Sequence, residues 1–245
     1  MSIPTSNTGA AFATTRWAVI RDAAEGNAPG GEDALASLCQ TYWPPVYGFL
    51  RRSGTSPADA QDLTQGFFAQ VLARGFFALA DQDKGRFRTF LLCALQNFQR
   101  DQHLRAQALK RGGGQVVSLD AIAAEGDYLA DAADRMTPER AFERRWALTL
   151  LTTVMGRLEA EFCMGARAEL FGELRNRLWG DPRGEPASAL AARLRLSESS
   201  IHVMLHRLRQ RLRELIRTEI AEQVASAEDL EDELAHLVRV LGSPG

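Results

Sequence analysis

The chain has 245 residues, room for one large domain or two small ones, and its 45% hydrophobic against 24% charged composition fits a soluble globular protein. No apolar run nears the roughly 20 residues of a membrane span, and the start MSIPTSNTGAAFATTRW has no basic stretch leading into a long apolar core, so neither a membrane protein nor a secretory signal is expected. Cys39, Cys93 and Cys163 are odd in number and far apart, which argues against a disulfide framework or a zinc site and for free thiols in the cytoplasm.

Strand signals are nearly absent and helical periodicity runs almost throughout. Thr14 or Thr15 can cap a short helix through Ala24, and the Gly/Pro loop Gly26 to Gly31 follows. The next helix is expected from Glu32 to Trp43, with Pro44-Pro45 interrupting it before helix resumes to Arg52. After Gly54, Ser56 as N-cap and Pro57 at the first helical position open a helix carrying ADAQDLTQGFFAQVLAR. A long basic helix is expected from Arg86 to Leu109. Gly112-Gly113-Gly114 ends it, and the chain to Thr137 lacks sustained apolar periodicity, as a linker would. The glycines are not followed by Lys-Ser/Thr and do not sit between a strand and a helix, so a phosphate loop is not expected.

Thr137-Pro138 starts the next helix, with Phe142, Trp146, Leu150, Leu151, Val154 and Leu158 on one face. A helix over 166–179 leads to the loop Gly180 to Pro186. Pro186 to Leu196 then fits a short first helix, Arg195-Leu196-Ser197 a tight turn, and Ser197 to Arg217 a second helix capped by the Ser197 hydroxyl. Gly is common in such turns, and Arg195 stands there instead. The second helix buries Ile201, Leu205, Leu208, Leu212, Leu215 and Ile216. A last amphipathic helix covers 230–241.

The formal net charge of −2 hides an uneven distribution. Basic residues gather at Lys84 to Arg111 and at Arg193 to Arg217; acidic ones gather from Glu219 to Glu233. A cationic helix with one apolar face, entered through a tight turn, suits duplex DNA: Ser199, Ser200 and His202 would face base edges, and His206, Arg207, Arg209 and Arg211 mostly phosphates. In Lys84 to Arg111, the basic Arg86, Arg88, Arg100, Arg105, Lys110 and Arg111 mix with Gln96, Asn97 and several Phe. That mixture suits unstacked single-stranded DNA, although most of the Phe residues are expected in the core. Asp59 and Asp62 lie three apart, with Gln65 beyond, and make an acidic–polar helix stripe able to dock on a basic surface; an ordinary solvated face is the plainer alternative.

Together these pieces resemble an extracytoplasmic-function sigma factor, a small member of the sigma-70 family, over nearly the whole chain. Asp59-Ala60-Gln61-Asp62-Leu63-Thr64-Gln65-Gly66-Phe67-Phe68 matches the family's core-binding pattern D-A-x-D-L-x-Q-x-x-F. TTRW at Thr14, YWPPVY at Tyr42, KGRFRTFLL at Lys84, KRGGG at Lys110 and HRLRQRLRELIRTEI at His206 are similar to one subgroup. The resemblance implies an all-α fold of two small helical domains joined by a flexible linker. Residues 1–30 would be an N-terminal extension, 31–111 region 2, 112–137 the linker, 138–218 the region 4 helix-turn-helix and 219–245 an acidic C-terminal helix.

It implies no catalysis, no cofactor and no metal. It implies binding to core RNA polymerase through its β′ and β subunits, and to promoter DNA. An anti-sigma protein or other regulator is a further partner open to such a chain. Asp59, Asp62, Gln65 and Phe68 would contact the polymerase. Arg86, Arg88, Gln96, Asn97, Arg100, His103, Arg105, Lys110 and Arg111 would serve the −10 element, and Ser197, Ser199, Ser200, His202, His206, Arg207, Arg209 and Arg211 the −35 element.

Other classes stay in view. A helix-turn-helix regulator that never joins the polymerase explains the second half but leaves the acidic stripe and the first basic helix idle. An enzyme would have to use His103 beside Arg100 and Asp101, or a metal at His202 and His206, yet there is no H-E-x-x-H and no Cys pair. For the acidic C-terminal helix, packing on region 4, masking of a basic face and binding of a regulator all stand open.

Overall fold

The computed structural model describes residues 31–73, 86–108, 136–162, 168–179, 186–224 and 226–242. The described residues form helices joined by turns, with no strand among them. The expected helix through Ala24 and most of 112–137 lie outside them.

Helix α1 spans Gly31–Arg52 without a break, in contrast to the interruption expected at Pro44-Pro45. The two rings delete the amide donors that would reach the carbonyls of Gln40 and Thr41, and an interior proline costs about 3 kcal/mol. Around them, Tyr42, Val46, Tyr47, Phe49 and Leu50 are buried. Each such side chain contributes about 1.5–3 kcal/mol, so packing on this face outweighs the lost bonds.

Helix α2, Pro57–Ala73, starts where the Ser-Pro signal places it. The Ser56 hydroxyl accepts from the Asp59 amide at 3.2 Å and donates to the Asp59 carboxylate at 2.7 Å, a reciprocal cap on the first turn. Helix α3, Phe87–Ala108, buries Phe87, Leu91, Ala94, Leu95 and Phe98, one stripe at helical spacing. Helix α4, Pro138–Phe162, opens on the same Thr-Pro logic: the Arg140 amide donates to Thr137 Oγ1 at 3.3 Å. It buries Phe142, Trp146, Leu150, Val154 and Leu158 at steps of four. Helix α5, Ala168–Arg175, is short and ends in turns through Trp179. Helices α6, Ala187–Leu194, and α7, Glu198–Ala221, follow, and α8, Ala227–Gly242, closes the described chain under a Ser226–Asp229 cap.

α1 packs chiefly on α4, α4 on α7, and α8 on both α4 and α7. Helices from either side of residues 112–137 therefore share one core. Tyr42 of α1 meets Phe87 of α3 edge-on at 5.1 Å and stacks with Phe142 of α4 at 6.4 Å. No described helix is long and apolar enough to cross a membrane.

Candidate nucleic-acid interface

The turn between α6 and α7 is built from three residues. Arg195 takes the left-handed conformation, φ 53° and ψ 40°, and is the one non-glycine residue with positive φ among those described. That geometry lets its amide reach Ala192 O at 3.2 Å and the Leu196 amide reach Ala191 O at 2.9 Å, closing the end of α6. Ser197 is extended, and its hydroxyl accepts from the Ser200 amide at 3.1 Å. Leu190 and Ala191 of α6 and Ile201 of α7 are buried, fixing the pair of helices together.

With Ile201, Leu205, Leu208, Leu212 and Leu215 inward, α7 presents an opposite stripe: Ser199, His202, His206, Gln210 and Arg213 are all exposed, at steps of three and four. Val203 lies beside it at 50% exposure. Gln210 and Arg213 are not among the residues expected at the DNA from sequence, though helical spacing from Ser199 and His202 leads straight to them. Ser197 is a cap whose hydroxyl is engaged with Ser199 and Ser200, so it holds the turn and does not reach outward.

The arginines of this helix divide sharply. Arg209 donates from Nε to Leu178 O at 3.1 Å and from Nη2 to Arg177 O at 2.7 Å. It satisfies the orphan carbonyls after α5, a structural task, where a phosphate contact was expected. Arg211 is held by both carboxylate oxygens of Glu161, at 2.7 and 2.8 Å, and by Glu214 at 3.0 Å. These hydrogen bonds hold the Glu161 carboxyl below its usual range and push the guanidinium pKa up. Arg193 pairs with both oxygens of Glu173, keeping that carboxyl low as well. Arg207 and Arg213 make no ion pair or side-chain hydrogen bond among the described residues and are exposed. Arg207 edges an apolar groove of about 560 Å³ lined by Leu158, Phe162, Leu170, Leu196 and Met204.

On α2, Asp62 and Gln65 are exposed, as a docking stripe and an ordinary solvated face would both have them. Asp59 is exposed but its carboxylate is spent on the Ser56 cap. Phe68 is buried, stacked on Trp43 at 5.8 Å and edge-on to Phe67, so it belongs to the core and offers no surface in this arrangement. Thr64 is also buried, its hydroxyl donating to Ala60 O at 2.6 Å. Asp59, Asp62 and Leu63 share a cleft of about 560 Å³ with Gln99, Gln102 and His103 of α3.

The residues of α3 assigned to single-stranded DNA also divide. Asn97, Arg100 and His103 are exposed, Asn97 accepting from Arg100 at 3.4 Å. Gln96 donates to Glu139 of α4 at 3.1 Å. Arg88 is only 4% exposed, bound to Glu143 and Glu233 and standing over the Trp146 ring. Arg86, just before α3, pairs with Asp232 at 2.7 Å. Arg88 is buried and Arg86 half-exposed, and acidic residues far along the chain take both. The Arg105 side chain, Lys110 and Arg111 lie outside the described residues.

No group of three metal-ligating side chains occurs among the described residues. His202 and His206 are exposed, with Glu198 3.7 Å from His202 Nε2. Comparison with protein-family models finds no match, and comparisons with curated proteins and with solved structures likewise find none. The described residues define an all-helical protein with a capped helix, tight turn and helix that turns a mixed polar and cationic stripe outward.

Proposed function

We propose that the chain is a sigma factor, which joins core RNA polymerase and directs it to promoters. The observation that carries this is the outward stripe of α7. Ser199, His202, His206, Gln210 and Arg213 offer donors, acceptors and charge along one rigid face, behind a capped turn that projects the start of the helix. Such a face fits a major groove, its first turns on base edges and its later ones on phosphates. Asp62 and Gln65, exposed on α2 and remote in sequence from that stripe, supply the anionic surface for the polymerase. Asn97, Arg100 and His103 on α3 supply amide and cationic groups for unpaired bases, and capture of those bases offsets unstacking of a few kcal/mol per step.

Run-off transcription with bacterial core polymerase tests the reading. The wild-type chain is expected to give defined start sites. Asp62→Arg is expected to abolish them while leaving the helical circular dichroism and unfolding midpoint unchanged. Unimpaired transcription by that variant would remove the docking assignment.

The engagement of Arg86 and Arg88 inside the molecule favours one second reading, a duplex-binding regulator that acts through α7 alone. Co-purification decides between them: retention of core polymerase on the immobilised chain supports the sigma factor, and duplex binding without any retention supports the regulator.

A further inference from the structure

Glu231, Asp232 and Glu233 are consecutive, yet each takes a different arginine. Glu231 pairs with Arg217 near the end of α7, and Asp232 Oδ2 lies 2.7 Å from Arg86 Nη2. Glu233 receives Nε of Arg88 at 3.3 Å and Nη2 at 3.2 Å. One turn of α8 thereby ties the end of the second unit to the start of α3 in the first. Its apolar anchorage is one stripe: Leu230 and Leu237 are buried and Leu234 and Val240 pack half-buried beside them, while Val238 is 70% exposed and Leu241 40%. The exposed pairs at Arg86 and Arg217 are weak individually and screened by salt. The buried pair at Arg88 cannot be broken alone without stranding a charge, so α8 and Arg88 are expected to part together.

We propose that α8 is an intramolecular strap: its carboxylates occupy Arg86 and Arg88 in place of the phosphates of single-stranded DNA, and hold the two units closed until that strand competes them away. Carboxylate and phosphate are both forked acceptors for a guanidinium, so the competition is chemically matched. The inference rests on the sigma-factor reading for its purpose. Elements at −10 and −35 are about 25 base pairs apart, on the order of 85 Å of B-form DNA. Here α1 of the first unit lies directly against α4 of the second, and Tyr42 hydrogen-bonds Gln223. Two units in such contact cannot span that distance, and opening requires both that the strap leave and that α1 part from α4. A strand that binds only the released form shifts the balance towards it.

The test uses the full-length chain, a chain ending at Val224, and Asp232→Asn/Glu233→Gln, which removes charge while keeping side-chain shape. The probe is a fluorescent oligothymidylate, titrated at several salt concentrations. Both altered chains are expected to bind about tenfold more tightly than wild type, with a log–log salt slope steeper by about 1.4, for two freed phosphate contacts. Equal affinity and slope in all three would overturn the strap. Arg86→Ala in the shortened chain should remove about half of the added slope, and retention of the full gain would overturn the role of Arg86.

Hydrogen exchange on the wild-type chain is independent of any folding defect in a variant. Saturating oligonucleotide should speed exchange across residues 227–242, and unchanged protection there overturns the competition. Transcription separates this inference from the reading beneath it. Tighter oligonucleotide binding on release, with no polymerase-dependent transcription, would leave the strap and sink the sigma factor. Normal transcription with no gain on release would do the reverse.

Discussion

The Tyr42 hydroxyl donates to Gln223 Oε1 at 2.9 Å, linking residues 181 positions apart, and the Trp146 indole N–H reaches the same oxygen at 3.4 Å. Gln223 is fixed in turn by its amide nitrogen on Glu219 O at 3.2 Å. Burial pushes the Tyr42 pKa upward, so the phenol remains a neutral donor. Tyr42→Phe keeps the ring packing and removes the donor. It is expected to lower stability by about 1 kcal/mol, read as a shift in denaturant midpoint with no change in slope. An unaltered midpoint would show that this bond does not help hold α1 to the segment after α7.

Arg195 pays for its left-handed backbone, since a Cβ in that region costs about 1–2 kcal/mol. Its amide is nonetheless needed to close α6. Arg195→Gly is therefore expected to raise stability by about 1 kcal/mol while duplex affinity stays within twofold. A destabilised variant would mean that the arginine side chain, not the backbone, governs the turn.

Arg209 and Arg213 are four residues apart on α7 and should behave oppositely. Arg209→Ala strands two carbonyls and is expected to cost about 1.5–3 kcal/mol of stability, with the salt slope of duplex binding unchanged. Arg213→Ala is expected to leave stability within about 0.5 kcal/mol and to flatten the salt slope by about 0.9. Reversal of these two patterns would refute the division of labour.

His236 gives the seating of α8 a pH dependence. It faces Arg88 from α3 and Glu143 from α4, with Glu233 and Arg239 on its own helix, and its Nε2 lies 3.5 Å from Glu143 Oε1 without a hydrogen bond in the neutral form. Burial first, and then Arg88, hold its pKa below the ordinary 6.5. The docked imidazole thus takes up its proton at lower pH than a released one. Above the ordinary value the two forms bind equal numbers of protons and docking is insensitive to this group. As pH falls through that value the released helix gains its proton before the docked one does, so docking weakens. Protection factors across residues 227–242 should fall between about pH 7.5 and about pH 5.5, and His236→Gln should flatten the profile. A profile identical in both proteins would acquit the histidine.

Local chemistry was readable in the chain. Ser56, Thr137 and Ser197 each cap the helix their sequence context predicts, because the hydroxyl and the amides it serves lie within one turn. The inward faces of α3, α4 and α7 followed from spacing for the same reason. What could not be read is which arginines are already taken. Arg88 and Glu233 are 145 positions apart, and Arg211 and Glu161 are 50. Nothing within a helical turn distinguishes Arg209, on the carbonyls after α5, from Arg213, which faces solvent. Pro44-Pro45 carried a genuine local signal that the buried face of α1 overrode. Phe68 matched a motif position whose outward role the core packing does not allow here.

Trp146 has the Arg88 guanidinium 5.1 Å from its ring centroid and the His236 imidazole at 6.3 Å. His236 belongs to the final helix, and Glu233 of that helix shares Arg88 with Glu143 of α4. Indole emission shifts with the charge and water beside the ring, so the colour of this tryptophan's light is tied to whether that helix is seated or gone. The chain has 4 tryptophans; with the others replaced by phenylalanine, the opening rate becomes visible in a stopped-flow trace without attaching any dye.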